Sequence, residues 1–105
     1  MQLDTTYRGL SAAESATATR MLEKFSPRLV RLLDEPSSLR VVVENGAEME
    51  VTLTVSQRRG DLTATTADRE LAAAISDACD KLRAQLVRQR HRREAERHRA
   101  VGGTE

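Results

Sequence analysis

The chain has 105 residues, enough for one compact core and too few for two ordinary domains. Hydrophobic residues make up 39% and charged residues 31%, the balance of a globular chain rather than a disordered or membranous one. Tyr7 and Phe25 are the only aromatic residues, which excludes RNA-reading surfaces that stack bases on exposed rings.

The net charge of +1 conceals an asymmetry. Residues 1 to 80 carry nine Lys/Arg against thirteen Asp/Glu, a net of −4. Residues 81 to 105 carry eight Lys/Arg against three Glu, a net of +5. A basic segment of this density is an electrostatic footprint for a polyanion. No apolar run is long enough to span a bilayer, and the start MQLDTTYRGL has neither a basic nor an apolar leader region. With Cys79 as the only cysteine there is no internal disulfide. A cytoplasmic location is expected.

Leu3, Thr5 and Tyr7 alternate with polar residues, predicting a short strand with one buried face that Gly9 breaks. Ser11 and Glu14 form a capping box, so a helix starts there. Its apolar positions Ala18, Met21, Leu22 and Phe25 recur at helical spacing. Pro27 lacks the amide the helix needs next, which predicts an end near Phe25 and a short extra turn through Leu29, Val30 and Leu33. The β-branched stretch Leu39 to Glu44, the turn Asn45-Gly46 and the alternation of Met49, Val51, Leu53 and Val55 predict a hairpin. A further turn at Arg58-Arg59-Gly60-Asp61 leads to a strand through Leu62, Ala64 and Thr66. Asp68 is placed to cap a last helix whose face is Leu71, Ile75, Ala78/Cys79, Leu82 and Leu86. The predicted order is β-α-β-β-β-α.

After Val87 no large apolar residue occurs until Val101, so the last helix is expected to leave the body as a basic arm reaching about residue 99. Gly102-Gly103 ends it, with residues 100–105 expected to be disordered. Lys81, Arg88, Arg92 and Arg99 fall within about 40° of one another beside the apolar stripe.

The segment Gly60-Asp61-Leu62-Thr63-Ala64-Thr65, leading into Leu71-Ala72-Ala73-Ala74-Ile75 and Asp80-Lys81-Leu82-Arg83-Ala84-Gln85-Leu86, resembles the ribosome hibernation-promoting factor family, which includes the ribosome-associated inhibitor A type. MQLDTTYRG is similar to that family's first strand. The likeness covers residues 1 to 93 and matches a short form without the C-terminal dimerisation module. It implies an α+β fold in which a four-stranded sheet carries both helices on one face, similar to double-stranded-RNA-binding domains. It also implies binding to 16S rRNA in the small-subunit channel, where the domain excludes mRNA and tRNA. The family's basic positions match at Lys24, Lys81 and Arg88, with Arg90, Arg92 and Arg93 in the basic tail. Together with Arg83 and Arg99, these are the expected RNA-binding residues.

Arginine suits that role because its planar fork grips phosphate in two places and stacks on exposed bases. For Arg58 and Arg59 an ordinary polar turn is the better explanation. His91 and His98 lack the neighbours of a metal site, and Cys79 lies on the apolar stripe, a small hydrophobe rather than a nucleophile. With no glycine-rich phosphate loop or nucleophile elbow, no enzymatic activity, cofactor, metal or small-molecule substrate is expected. The free protein is expected to be a monomer. The alternatives are a diverged protein-interaction module docking the basic helix on an acidic partner, or a general RNA-binding protein.

Overall fold

The computed structural model describes the backbone of residues 1–102 and all their side chains except Arg93 and residues 96–102. The expected tail residues 103–105 and the side chains of Arg93, His98 and Arg99 lie outside the described residues. The elements are β1 (Gln2–Arg8), α1 (Ala12–Val30), β2 (Ser38–Asn45), β3 (Met49–Ser56), β4 (Leu62–Asp68) and α2 (Leu71–Gly102). The fold is therefore α+β, in the order β-α-β-β-β-α, as expected.

The sheet order is β1-β2-β3-β4, with β1 parallel to β2 and the remaining pairs antiparallel. Alternation sets its two faces. Leu39, Val41 and Val43 of β2, Met49, Val51, Leu53 and Val55 of β3 and Ala64 of β4 are buried on the inner face. Against them pack Ala18, Leu22 and Leu29 of α1 and Ala74, Ile75, Ala78, Cys79, Leu82 and Leu86 of α2. The core is aliphatic, and both aromatic rings sit at its margin.

Three local expectations are revised. First, α1 does not stop at Phe25 but continues through Pro27 to Val30. Leu29 is buried, so its burial favours one more helical turn over the break that proline invites. Ser26 Oγ donates to the Leu22 carbonyl at 2.8 Å, while Glu23, whose carbonyl loses the proline's missing amide, is exposed to water. Second, β1 has little buried face: Leu3 is 40% exposed and only Tyr7 is half-buried. It is an edge strand, and α1 covers only part of it. Third, Asp68 does not cap α2 directly. Its carboxylate accepts from the amide of Glu70 at 2.9 Å, and the Glu70 carbonyl accepts the first helical bond, from Ala74, at 3.0 Å. Asp68 thus organises the turn before the cap.

The capping box at Ser11 is present in both directions, at 3.1 Å and 2.9 Å. Gly60, in the β3–β4 turn, has φ +112°, a conformation that only glycine adopts without strain.

Candidate nucleic-acid interface

Both helices run against the direction of β2. In α2 this follows from two bonds to β4: Lys81 Nζ donates to the Thr65 carbonyl (3.2 Å) and Gln85 Nε2 to that of Thr63 (3.1 Å), so helix numbers rise as strand numbers fall. The C-terminal end of α1, the β3–β4 turn and the middle of α2 therefore meet at one end of the molecule. Gln57 ties them together, its Oε1 accepting from the Asp34 amide (3.0 Å) and its Nε2 donating to Gln89 Oε1 (2.8 Å).

Among the described residues Gln89 is the last of α2 hydrogen-bonded to the body. The last buried one of α2 among the described residues is Leu86, and His91, Arg92, Glu94 and Ala95 are exposed. At 1.5 Å per residue the 32-residue helix is about 48 Å long, and the molecule measures 61 Å along its long axis. The arm expected from the sequence is a continuous helical backbone, and it includes residues 100–102, which the sequence reading gave to the tail.

The basic side chains fall into three sets. On one flank of α2 are Lys81, Arg88 and Arg92. Lys81 is held to Thr65, and Arg88 Nε donates to the Ala84 carbonyl at 3.4 Å. On the opposite flank are Arg83 and Arg90, the latter paired with Glu94 at 3.9 Å. All five are exposed.

The third set is on α1, where the sequence reading selected only Lys24. Arg20, Lys24, Arg28 and Arg31 are all exposed, and their spacing puts them within about 80° of one another on the helix surface. The signal was present in the sequence as a spacing of four, four and three. Ending the helix at Phe25 cut the stripe in half and concealed it.

Topology also sorts the acids. Glu44, Glu48 and Glu50 flank the β2–β3 turn, with Glu14, Asp68 and Glu70 at the same end, opposite the arm. These six acids thus lie far from the basic arm, whereas Asp34, Glu35 and Asp61 lie at the arm's end. At the arm's end Arg59 is paired with Asp34, while Arg28, Arg31 and Arg58 are exposed. The molecule is electrically polarised along its length.

The cleft between the helices is lined by Met21, Lys24, Phe25 and Arg28 on one side and Ile75, Ser76, Cys79 and Asp80 on the other. Burial, with the Asp80 carboxylate adding to it, pushes the Cys79 thiol up to about 12, so it is not a thiolate at neutral pH. Among the described residues no three His, Cys, Asp or Glu side chains gather as a metal site requires, and no helix is long and apolar enough to cross a membrane.

An α+β sheet with a basic helical arm and an exposed basic stripe on α1 gathers positive charge toward one end of the molecule. Residues 5–94 match the Sigma 54 modulation protein / S30EA ribosomal protein family, and the chain belongs to that family. The N-terminal domain of Protein Y from Thermus thermophilus is similar in fold, with a TM-score of 0.67 and 24% identity over 84% of this chain and 98% of that one. A ribosomal subunit interface protein from Coxiella burnetii is similar at a TM-score of 0.62 and 14% identity, covering 87% of this chain and 99% of that one. No curated protein matches the chain in sequence.

Proposed function

We propose that this protein binds the ribosome and silences translation by occupying the small-subunit channel for mRNA and tRNA, against 16S rRNA. Membership of a ribosomal-protein family supports the ribosome as partner. The observation that carries the RNA contact is the convergence at one end of the α1 stripe, Arg20, Lys24, Arg28 and Arg31, with the arm that carries Arg88, Arg90 and Arg92. Arg83 on α2, and Arg93 and Arg99 in the arm, extend the same interface.

Each guanidinium or ammonium that neutralises a phosphate releases counterions, so binding follows charge and shape with little base reading. Action is by occupancy, without chemistry. Lys81 has a divided role, since its ammonium also holds the β4 edge.

An in vitro translation assay tests the reading. The wild-type chain is expected to inhibit in proportion to its ratio to ribosomes, whereas Lys24→Glu/Arg28→Glu/Arg88→Glu/Arg92→Glu, with an unchanged circular dichroism spectrum, is expected to lose that effect. Equal translation with and without the wild-type chain would overturn it. Capture of one stoichiometric protein partner that resists nuclease would point instead to a protein-interaction module.

A further inference from the structure

The two edges of the sheet are finished differently. On β4 the outward carbonyls of Thr63 and Thr65 are taken by Gln85 and Lys81, so side chains of α2 occupy that edge. Among the described residues nothing comparable occurs on β1. The Gln2 amide donates to the Ser37 carbonyl at 3.0 Å, and Gln2 is in register with Ser38. In a parallel ladder this turns the backbone groups of Gln2, Asp4, Thr6 and Arg8 toward β2. Those of Leu3, Thr5 and Tyr7 face outward. The register is continuous and the strand has no proline or bulge, while its two charged residues, Asp4 and Arg8, lie on the face opposite Leu3, Thr5 and Tyr7.

The apolar surface is at the same place. Among the described residues the exposed large hydrophobic side chains are Leu3 (40%) and Val30 (39%). The Tyr7 hydroxyl and Thr19 Oγ1 are hydrogen-bonded at 3.0 Å, which fixes that flank of α1 beside the far end of β1. From Thr19, Val30 is about 20° around the helix and about 16 Å along it. From Tyr7, Leu3 is about 13 Å along the strand in the same direction. Both exposed hydrophobics therefore flank the one uncovered edge.

We propose that β1 pairs antiparallel with β1 of a second copy of this chain, joining two sheets into one. The register is decided by the residues. With Thr5 opposite Thr5, Leu3 of each copy stands opposite Tyr7 of the other, and all three pairs present outward amides and carbonyls to each other. The apolar Leu3 is then covered by a ring. On the other face Arg8 lies diagonal to Asp4 of the second copy, within reach of opposite charge. Centring the pair on Asp4 would set two carboxylates against each other. Centring it on Thr6 would set Leu3 against Gly9 and leave it exposed. A shift of a single step would turn inward-facing backbone groups to the interface.

This inference replaces the monomer expected of the free protein and is independent of the ribosome reading. A seven-residue strand with few apolar contacts gives reversible, concentration-dependent pairing rather than a permanent dimer.

Equilibrium sedimentation of the full chain without ribosomes tests it. The average mass should rise from 11.7 kDa toward twice that value as concentration increases. Thr5→Pro removes an outward amide that takes no part in the β1–β2 ladder, and should hold the mass at the monomer value. Because proline could disturb the strand, a second arm uses Thr5→Cys in a Cys79→Ala background. Mild oxidation should crosslink it to a dimer at least tenfold faster than Asp61→Cys in the same background. A mass that stays at the monomer value up to millimolar concentration would overturn the proposal. So would association that survives Thr5→Pro while Thr5→Cys crosslinks no faster than Asp61→Cys.

Discussion

Cys79 and Lys81 are two residues apart on α2, yet the fold gives them unrelated tasks. Cys79 lies on the face that meets the core and the α1 cleft, where burial and Asp80 disfavour its thiolate. A thiol whose pKa in the folded state is above its ordinary value of 9.0 keeps its proton longer folded than unfolded. Its contribution to stability is therefore full below pH 9.0 and is lost as pH rises toward about 12. Urea-melt midpoints measured from neutral pH upward should show this decline in the wild type. A Cys79→Ala variant should show a shallower decline; parallel curves would contradict the assignment. Lys81, by contrast, was chosen from charge alone, and sequence could not show that its ammonium reaches a strand carbonyl sixteen residues away. Its replacement by Glu is expected to weaken RNA binding and loosen β4 together, so Arg88 and Arg92 are the cleaner probes.

Among the elements, α1 shows where local rules lose to packing. Pro27 is a genuine helix breaker by chemistry, costing about 3 kcal/mol in a helix interior. Burying Leu29 offsets it, and the Glu23 carbonyl left without its amide belongs to a residue exposed to water. Pro27→Ala should accordingly raise stability by about 1–3 kcal/mol, seen as a higher urea midpoint at unchanged slope; a fall would mean the proline is needed for the bend of the chain into β2. Strands β2 to β4 were legible because alternation and turn chemistry agree in each. The same alternation in β1 says only that Leu3, Thr5 and Tyr7 share a face. Whether that face is covered depends on where a helix comes to rest, which no local pattern records. The α1 stripe was hidden for a similar reason, since Arg28 and Arg31 join Arg20 and Lys24 on one helix face only once the helix passes Pro27.

Over the whole molecule, the charge split seen in the sequence becomes a spatial one. The acidic turn at Glu44, Glu48 and Glu50 and the basic end with its arm lie at opposite poles, so a net charge near neutral coexists with a strong local field. Neutralising the acidic pole with Glu44→Gln, Glu48→Gln and Glu50→Gln should change ribosome affinity by less than about threefold at moderate salt, because Debye screening limits its reach to about 10 Å. Removing Arg28, Arg88 and Arg92 should instead reduce the slope of log affinity against log salt by about one unit per lost phosphate contact. Similar effects from the two sets would mean that overall charge, not the assembled end, governs binding.

The most direct measurement is co-sedimentation of the wild-type chain with ribosomes through sucrose gradients across a salt series. The protein is expected to travel with small subunits and whole ribosomes at low salt and to be released progressively as salt rises. Its absence from every ribosomal fraction, even at the lowest salt, would contradict ribosome binding and leave the fold in the service of another partner.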